Sequence, residues 1–389
     1  MTDLETRAAP SRAGALRRAA PALLGYAAVR ALGLVALALW SAARDKSAYT
    51  LLTARWDALW YTRVAELGYG YEVRLPNGDV HSNLAFFPLL PWLERLLAAV
   101  SPLSYADGGF VVSLGASIAA AWGIFAVADH VYGRRAGVCA VLLWAVLPVG
   151  IVQSMAYSES LFTALAAWSL YAGLTGRWVT AGALALLAGL TRPVGMAVAA
   201  AVWVAAIGSF VRDRRAGVAP GPGPGARRVL GVLLAPLGTA GYVLWVGHRT
   251  GGGPLGYLDV QAGWRNGFDG GYAFARFVGE KFTSFPSAPA GVGLVLGVAS
   301  AVWLYVAGVR QRQPLPLLVY SGVVTALALC ASSYFGSKPR LLLPAFPLLL
   351  PLALTLARLR LRRSALVLGS MAVLSAGYGA FWLNGSGPP

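Results

Sequence analysis

Long apolar runs dominate the chain, and short polar stretches separate them. Runs of about 18 or more apolar residues are typical of membrane-spanning helices. The pattern predicts about eleven spanning or nearly spanning segments, which lie at roughly 22–42, 107–128, 136–152, 159–175, 178–191, 193–211, 229–247, 291–309, 315–333, 341–357 and 364–382. We therefore expect an all-α polytopic membrane protein.

Composition supports this class. Of the 389 residues 57% are hydrophobic and 12% are charged, whereas about a quarter of a soluble domain is charged. The net charge of +17 does not indicate a nucleic-acid partner, because the basic residues lie in short clusters between apolar runs and no soluble domain carries them. Cys139 and Cys330 both lie in apolar runs, and the three histidines are scattered. We expect no disulfide framework, metal site or cofactor.

Two apolar segments, 22–42 and 84–100, differ from ordinary spanning helices in their surroundings or composition. The segment 22–42 follows a basic tail but has no clear small-residue cleavage site, so we interpret it as a retained helix and not a removed signal peptide. Residues 84–100 are apolar but are interrupted by Pro88, Pro91, Glu94 and Arg95. We place that segment in the membrane interface.

The basic residues predict the orientation. With a cytoplasmic N-terminus, every short cytoplasmic loop is basic, as the positive-inside rule requires. The predicted organisation is a cytoplasmic basic tail (1–21), an N-terminal membrane module (22–211) with an outer loop (43–106), a cytoplasmic Pro/Gly-rich linker (212–228), and a C-terminal membrane module (229–389) with an outer loop (248–290). Within the linker, we expect 216–225 not to be helical. No internal repeat is visible, which argues against transporters built from duplicated halves.

The stretch Arg55-Trp56-Asp57-Ala58-Leu59-Trp60-Tyr61 places an acid among aromatic residues at the membrane edge. We expect Thr53 to cap a short helix that runs to about Leu67, with Asp57 in its first turn, where the helix dipole favours an ionised carboxylate. Trp56 and Trp60 then form an aromatic stripe on an interfacial helix. The alternative is an ordinary aromatic belt with a solvated acid.

Two prolines in Ser82-Asn83-Leu84-Ala85-Phe86-Phe87-Pro88-Leu89-Leu90-Pro91 fix a bend in the chain. Phe86 and Phe87 are candidates for lining a groove for an isoprenoid chain. The alternative is simple membrane anchoring.

Three further sites place charges beside apolar runs on the predicted outer side. Glu159 follows Tyr157 and Ser158, Arg192 lies between two apolar runs, and Lys338 and Arg340 precede another. A charged side chain in such a place is costly, so it normally forms an ion pair or belongs to a functional site. Guanidinium groups fit a phosphate well. The alternative is snorkelling at helix ends, which suits Lys338 better than Arg192.

These blocks, in this order, resemble the PIG-V type mannosyltransferases, a family that includes the GPI mannosyltransferase II enzymes. The blocks are Arg55-Trp56-Asp57 with Trp60-Tyr61 and Gly68-Tyr69, then 85–91, 157–162, 191–195, and Arg340 with 344–348. The resemblance implies a GT-C glycosyltransferase fold with an extracytoplasmic active site. It also implies a polyprenyl-phosphate sugar donor, usually of mannose, and Asp57 as the general base.

Physical chemistry leads to the same hypothesis. Nucleotide sugars are absent outside the cytoplasm, so a donor there must be carried by a lipid. A carboxylate within about 3 Å of the acceptor hydroxyl can act as its base, and cations stabilise charge on the departing phosphate. We expect Asp57 to be the base of an inverting transfer and Arg192, Lys338 and Arg340 to bind the donor phosphate. The expected substrate-binding or orienting residues are Arg55, Trp56, Trp60, Tyr61, Phe86, Phe87, Tyr157 and Glu159, the last of which would orient Arg192 or the acceptor.

The prediction is therefore a mannosyltransferase of the cell membrane that requires no metal. Its partners are a polyprenyl-phosphate-linked donor, a lipid or glycan acceptor and the bilayer. The alternatives are a glycolipid transporter or flippase and a non-catalytic subunit of a glycosylation complex. The sequence leaves the acceptor and the oligomeric state open.

Overall fold

The computed structural model describes residues 12–217, 221–385 and 387. Helices make up most of this part of the chain. In chain order they are α1 Arg12–Ala42, α2 Ala48–Thr53, α3 Asp57–Leu67, α4 Leu89–Val100, α5 Tyr105–Tyr132, α6 Arg134–Ala145, α7 Ser158–Leu174, α8 Trp178–Gly189, α9 Gly195–Arg215, α10 Pro222–Leu234, α11 Leu237–Thr250, α12 Gly256–Gly263, α13 Tyr272–Glu280, α14 Ala288–Arg310, α15 Leu315–Cys330, α16 Lys338–Leu341, α17 Leu350–Arg358 and α18 Leu361–Leu383.

Two small antiparallel sheets accompany the helices. Strand β1 (Glu72–Arg74) pairs with β2 (Val80–Ser82) as a hairpin inside loop 43–106. Strand β3 (Gly267–Phe268) pairs with β4 (Ala331–Ser332), so it ties loop 248–290 to the end of α15. These sheets are additions to a helical bundle and do not change its class.

Within the described residues, six helical segments are long and apolar enough to cross a membrane, and a seventh is possible if a pair bent by 75° is one span. The six are Gly14–Ala42, Tyr105–Tyr132, Gly195–Arg215, Gly223–Thr250, Phe285–Arg310 and Leu361–Leu383, and the bent pair is Phe335–Leu341 with Phe346–Arg358. The prediction of a multi-pass helical membrane protein is confirmed. The predicted count of about eleven spans is not, because several apolar helices are too short.

Helix α8 is one of the apolar helices that are too short to span the membrane. It has 12 residues and therefore measures about 18 Å, well below the roughly 30 Å of a hydrocarbon core. The predicted segment 136–152 is likewise not one helix. Helix α6 ends at Ala145 and a 3-10 helix follows at Gly150–Ser154. Arg30 of α1, itself buried, donates hydrogen bonds to the carbonyls of Ala145 and Gly150 and so satisfies this break.

The expectation that 216–225 is not helical is wrong for 222–225, where α10 begins with Pro222 at its first position. Proline is tolerated there because that residue's N–H would be unpaired anyway. Residues 218–220 of the stretch lie outside the described residues. Helix α10 packs closely on α8, since a Cβ on Gly231 would lie 2.2 Å from the carbonyl oxygen of Trp178. This segment is therefore packed into the bundle along part of its length.

The interior of the bundle is rich in alanine, as at Ala120, Ala167, Ala185 and Ala201, all of which are fully buried. Small side chains let the helices approach one another closely, which is the usual means of packing inside a membrane. Helix α7 contacts α5, α8 and α9. The first turn of α7 therefore lies at one end of a rigid core, and that turn contains Glu159.

Candidate functional site

The turn before α3 presents Asp57. Trp56 precedes the helix with φ 51° and ψ −124° and makes no side-chain cap. For a non-glycine residue this backbone costs on the order of 1–3 kcal/mol. The guanidinium of Arg55 lies 4.0 Å from the Trp56 ring centroid, a cation–π contact that helps to offset the strain. Asp57 is in the first helical turn and the helix ends at Leu67, both as expected.

The expected cap at Thr53 is wrong. Thr53 is the last residue of α2, and its hydroxyl donates to the Tyr49 carbonyl at 2.9 Å. A threonine one turn along a helix can bond back to the fourth residue before it, and that alternative competes with capping.

Asp57 is paired with Arg340. Asp57 Oδ2 lies 2.7 Å from Arg340 Nη1, and the side chains are 27% and 9% exposed. On its other side, Arg340 Nε lies 3.4 Å from Glu159 Oε1. The guanidinium thus stands between two carboxylates that are about a hundred residues apart in sequence. The Tyr157 ring centroid lies 5.1 Å from the Arg340 guanidinium carbon and completes its surroundings.

Glu159 is in turn paired with Arg192, at 2.6 Å between Oε1 and Nη1. The Glu159 side chain is 1% exposed, and neither of its oxygens has a hydrogen bond of good geometry among the described residues. The short distance makes this an ionic contact. Arg192 Nη1 also donates to Ser158 Oγ at 3.2 Å, and Ser158 Oγ lies 2.7 Å from the Tyr61 hydroxyl.

Tight packing sets the position of Arg192. The residue lies in the short turn between α8 and α9, where a Cβ on Gly195 would lie 2.4 Å from Gly189 Cα. Only glycine allows the two helix ends to approach this closely. Thr191 donates to the Ala188 carbonyl at 2.6 Å and fixes the start of the turn.

The charged network, defined as Asp57, Arg340, Glu159 and Arg192, alternates in sign and sums to zero. Buried ion pairs contribute little net stability, since desolvation offsets their attraction. Such a cluster therefore favours a functional explanation. Sequence analysis missed Ser158; its only signal is its position beside Glu159 at the start of a helix.

Lys338 does not join this network. Its ammonium donates to the carbonyls of Ala328 at 2.8 Å and Ala331 at 2.5 Å, and it lies 4.8 Å from the Phe274 ring centroid. Ala328 is in the last turn of α15 and Ala331 directly follows the helix. Carbonyls at a helix end lack partners and attract a cation. The expected grouping of Lys338 with Arg192 and Arg340 is not what the structure shows.

The aromatic residues divide into two groups. Trp60 stacks on Phe86 at 5.7 Å, and Tyr61 meets the same ring edge-on at 5.2 Å. Phe87 turns away from them and packs at 4.3 Å against Tyr242, with 1% of its surface exposed. The expectation that Phe87 lines a groove is therefore wrong, because its side chain is enclosed in the core.

Loop 248–290 packs against loop 43–106. Trp264 meets Trp60 at 4.8 Å, stacks on His81 at 4.0 Å, and donates to the Ser82 carbonyl at 3.0 Å. Arg265 pairs with Asp79 at 2.6 Å. Burial lowers the pKa of His81, which favours its neutral form in this stack. Sequence analysis had no signal for Trp264, because its partners lie in a distant loop.

An apolar groove of about 990 Å³ runs along α14 between α13 and α15. Its lining includes Phe274, Val302, Trp303, Leu329, Cys330 and, at the far end, Arg310. None of the four charges of the network lines it. The groove approaches them through Phe274, which contacts Lys338, two residues before Arg340.

The fold resembles that of solved membrane glycosyltransferases. ArnT from Cupriavidus metallidurans bound to undecaprenyl phosphate matches with a TM-score of 0.50 and 16% identity, over 90% of this chain and 61% of that one. The oligosaccharyltransferase of Archaeoglobus fulgidus in the apo form matches with a TM-score of 0.49 and 13% identity, over 94% of this chain and 56% of that one.

The likeness to ArnT shows the fold alone. The chain spans between half and two thirds of the length of both structures. No protein-family model matches the chain, and no curated protein matches it. Among residues 12–217, 221–385 and 387, no group of three or more His, Cys, Asp or Glu side chains is placed to hold a metal ion.

Proposed function

We propose that the chain is a PIG-V type glycosyltransferase that moves a mannosyl residue from polyprenyl-phosphate mannose to an acceptor hydroxyl on the extracytoplasmic side. The observation that carries the proposal is a partly exposed carboxylate, Asp57, paired with the buried guanidinium of Arg340. Arg340 shares Glu159 with a second, partly buried guanidinium, that of Arg192. The fold supports it, since it resembles that of ArnT, whose structure contains undecaprenyl phosphate.

Exposure separates the roles of the two acids. Asp57 is 27% exposed and Glu159 is 1% exposed, so an acceptor alcohol can reach Asp57 but not Glu159. Asp57 takes the proton of the acceptor hydroxyl. The acceptor oxygen forms a bond to the anomeric carbon, the bond from that carbon to the phosphate oxygen breaks, and its electron pair stays on the phosphate. One carboxylate suffices because attack is opposite the leaving group and inverts the anomeric centre.

The cations act on the leaving group. A phosphodiester carries one negative charge, and the departing polyprenyl phosphate gains a second as the bond breaks. Arg340 pairs with Asp57, and Arg192 joins the same network through Glu159. Preorganised cations are most effective where charge develops in the transition state. Glu159 holds both guanidinium groups in place, and together with Asp57 it balances their charge before the donor binds. We assign the isoprenoid chain to the groove along α14, which is apolar and leads toward α16.

The experiment is Asp57→Asn, assayed with labelled polyprenyl-phosphate mannose in membranes. We expect transfer to fall by about 100-fold or more, because the base is lost, while the protein remains folded. The matched control is Asp129→Asn, which breaks the pair between Asp129 and Arg18 at 2.7 Å, far in sequence from the network, and is expected to leave transfer unchanged. Full activity of Asp57→Asn would remove the base assignment. A labelled lipid that crosses the bilayer without forming a new glycosidic bond would favour a flippase.

A further inference from the structure

We propose that Arg340 couples donor binding to the release of the base: it holds Asp57 in an ion pair until the donor phosphate takes the guanidinium. The proposal rests on the proposed function. It adds an order to the reaction, in which Asp57 becomes available to the acceptor only after the donor is bound.

The geometry makes Arg340 a shared group. It contacts Asp57 through Nη1 alone, at 2.7 Å, although a guanidinium carries five N–H donors arranged as a fork. Its Nε has no hydrogen-bond partner among the described residues and faces Glu159 at 3.4 Å. The Arg340 side chain is 9% exposed, and only one of its nitrogens lies against Asp57. Such a guanidinium can exchange that carboxylate for a phosphate without leaving its position.

Asp57, and not Glu159, is the carboxylate that releases Arg340 when the donor binds. Glu159 is enclosed and lies 2.6 Å from Arg192 and 3.4 Å from Arg340, so it anchors both cations. Asp57 is the more exposed of the two acids. When Asp57 loses its ion pair with Arg340, water and the acceptor hydroxyl can therefore solvate the carboxylate. The titratable groups that interact electrostatically with Asp57 are Arg340, Arg192, Tyr61 and Tyr157.

Charge balance gives the direction of the exchange. The charged network sums to zero, so a bound phosphodiester adds one negative charge beside two carboxylates. When the phosphate takes the Arg340 contact, Asp57 loses its counter-ion and becomes a stronger base. After transfer Asp57 is protonated and no longer competes for the guanidinium, so the product phosphate is held. Once that proton leaves, Asp57 recovers Arg340 and weakens the hold on the product.

The test measures equilibrium binding of polyprenyl phosphate, an unreactive monophosphate, to the purified full chain in detergent. The variants are Asp57→Asn, Arg340→Gln and the double substitution. We expect Asp57→Asn to bind about tenfold tighter than the parent, since one charge-assisted contact no longer competes. We expect Arg340→Gln to bind more weakly, and Asp57→Asn to have no further effect in that background. Asp129→Asn is the control and is expected to bind as the parent does.

Each other outcome has a definite meaning. If Asp57→Asn increases the affinity for polyprenyl phosphate equally in the parent protein and in Arg340→Gln, simple charge repulsion explains the effect. That result overturns the coupling through Arg340. No tightening in the parent background also overturns it, while the proposed function stands as long as the lipid phosphate binds. No binding of polyprenyl phosphate to the parent protein contradicts both proposals.

A second measurement needs no Arg340 variant and serves if Arg340→Gln does not fold. The infrared carboxylate band of Asp57 is isolated as the difference between the parent protein and Asp57→Asn. We expect this band to shift when polyprenyl phosphate is added, because the ion pair with Arg340 is exchanged. A band that stays unchanged at saturating lipid phosphate would overturn the proposal.

Discussion

Asp57 and Glu159 are the same kind of acid in different surroundings. Asp57 reaches solvent and has one cationic partner, whereas Glu159 is enclosed between two. The sequence marks both as candidates because each is an acid beside an apolar run. It does not show which acid lies inside, since the partners at 192 and 340 are far along the chain. At this scale the residue types were predictable, and Arg192 was one of the two expected partners of Glu159. The contacts of Arg340 with both acids were not predicted.

The enclosed position of Glu159 leads to a prediction on stability. Glu159→Gln leaves the buried Arg340 and the partly buried Arg192 with one carboxylate. Breaking a buried ion pair typically costs about 3–5 kcal/mol. We expect the free energy of unfolding to fall by that order, as measured by denaturation in detergent. The matched control is Glu280→Gln, which breaks an exposed pair with Arg276 and is expected to change stability by less than about 1 kcal/mol. Equal stability of the two variants would show that Glu159 is not the anchor of the network.

Lys338 gives a second prediction at the residue scale. Its ammonium is occupied by carbonyls at the end of α15, so Lys338→Met leaves those buried acceptors without their donor. We expect stability to fall by about 1–3 kcal/mol while the affinity for polyprenyl phosphate stays within about twofold of the parent. Arg340→Gln, measured alongside, is expected to lose affinity. If Lys338→Met loses as much affinity as Arg340→Gln, the lysine binds phosphate after all.

At the scale of the element, α4 is a short amphipathic helix packed on α5, and it buries an acid. Glu94 is 1% exposed and its two oxygens have no hydrogen-bond partner among the described residues. A Cβ on Gly109 of α5 would lie 2.5 Å from Glu94 Oε1, so the carboxyl group fills the contact between the helices. Burial raises the pKa of Glu94 to about 9. The group is therefore neutral in the folded protein near pH 7.

This burial predicts a pH dependence of stability. In the unfolded chain the pKa of a glutamate is about 4.3. Below that pH both states are protonated. Between about 4.3 and about 9 only the folded state keeps the proton, so stability falls as pH rises and levels off above that range. We expect Glu94→Gln to be more stable than the parent near pH 7, by up to a few kcal/mol, and to lose most of this slope. The measurement is thermal unfolding between pH 5 and pH 9.

The control for this prediction is Glu66→Gln, which changes an exposed glutamate at the end of α3. We expect it to keep the pH slope of the parent. A slope that survives in Glu94→Gln would show that other groups cause it.

The longest helices were predictable from the hydrophobic pattern of the sequence. Helices α5, α9, α14 and α18 follow from uninterrupted apolar runs, because a run long enough to span has few other options in lipid. The breaks were harder to predict. The interruption after Ala145 is stabilised by Arg30, and the helical start at Pro222 depends on close packing against α8. The interruption and the helical start both depend on contacts between residues that are far apart in the sequence, so a local sequence pattern does not predict them.

At the scale of the whole molecule, loops 43–106 and 248–290 meet at one end of the bundle, on the side that carries Asp57, Glu159, Arg192 and Arg340. Trp264 and Arg265 fasten the second loop to Ser82 and Asp79 of the first. The loops thus form one layer, and Asp57 belongs to the first of them. The sequence predicted each loop and gave no reason for them to join, since the contacts are single residues without a pattern.

This layer gives the orientation of the molecule a direct test. If Asp57 works on a lipid-carried donor, the layer must face the exterior, and the connection between α14 and α15 must face the cytoplasm. Asn77 is exposed in the hairpin of loop 43–106, and Gln311 is exposed between α14 and α15. Each is changed to cysteine after Cys139 and Cys330 are replaced by alanine. We expect a membrane-impermeant maleimide to label Asn77→Cys in intact cells and Gln311→Cys only after permeabilisation. The reverse pattern would place the network in the cytoplasm, where nucleotide sugars are available and a lipid-carried donor is not required.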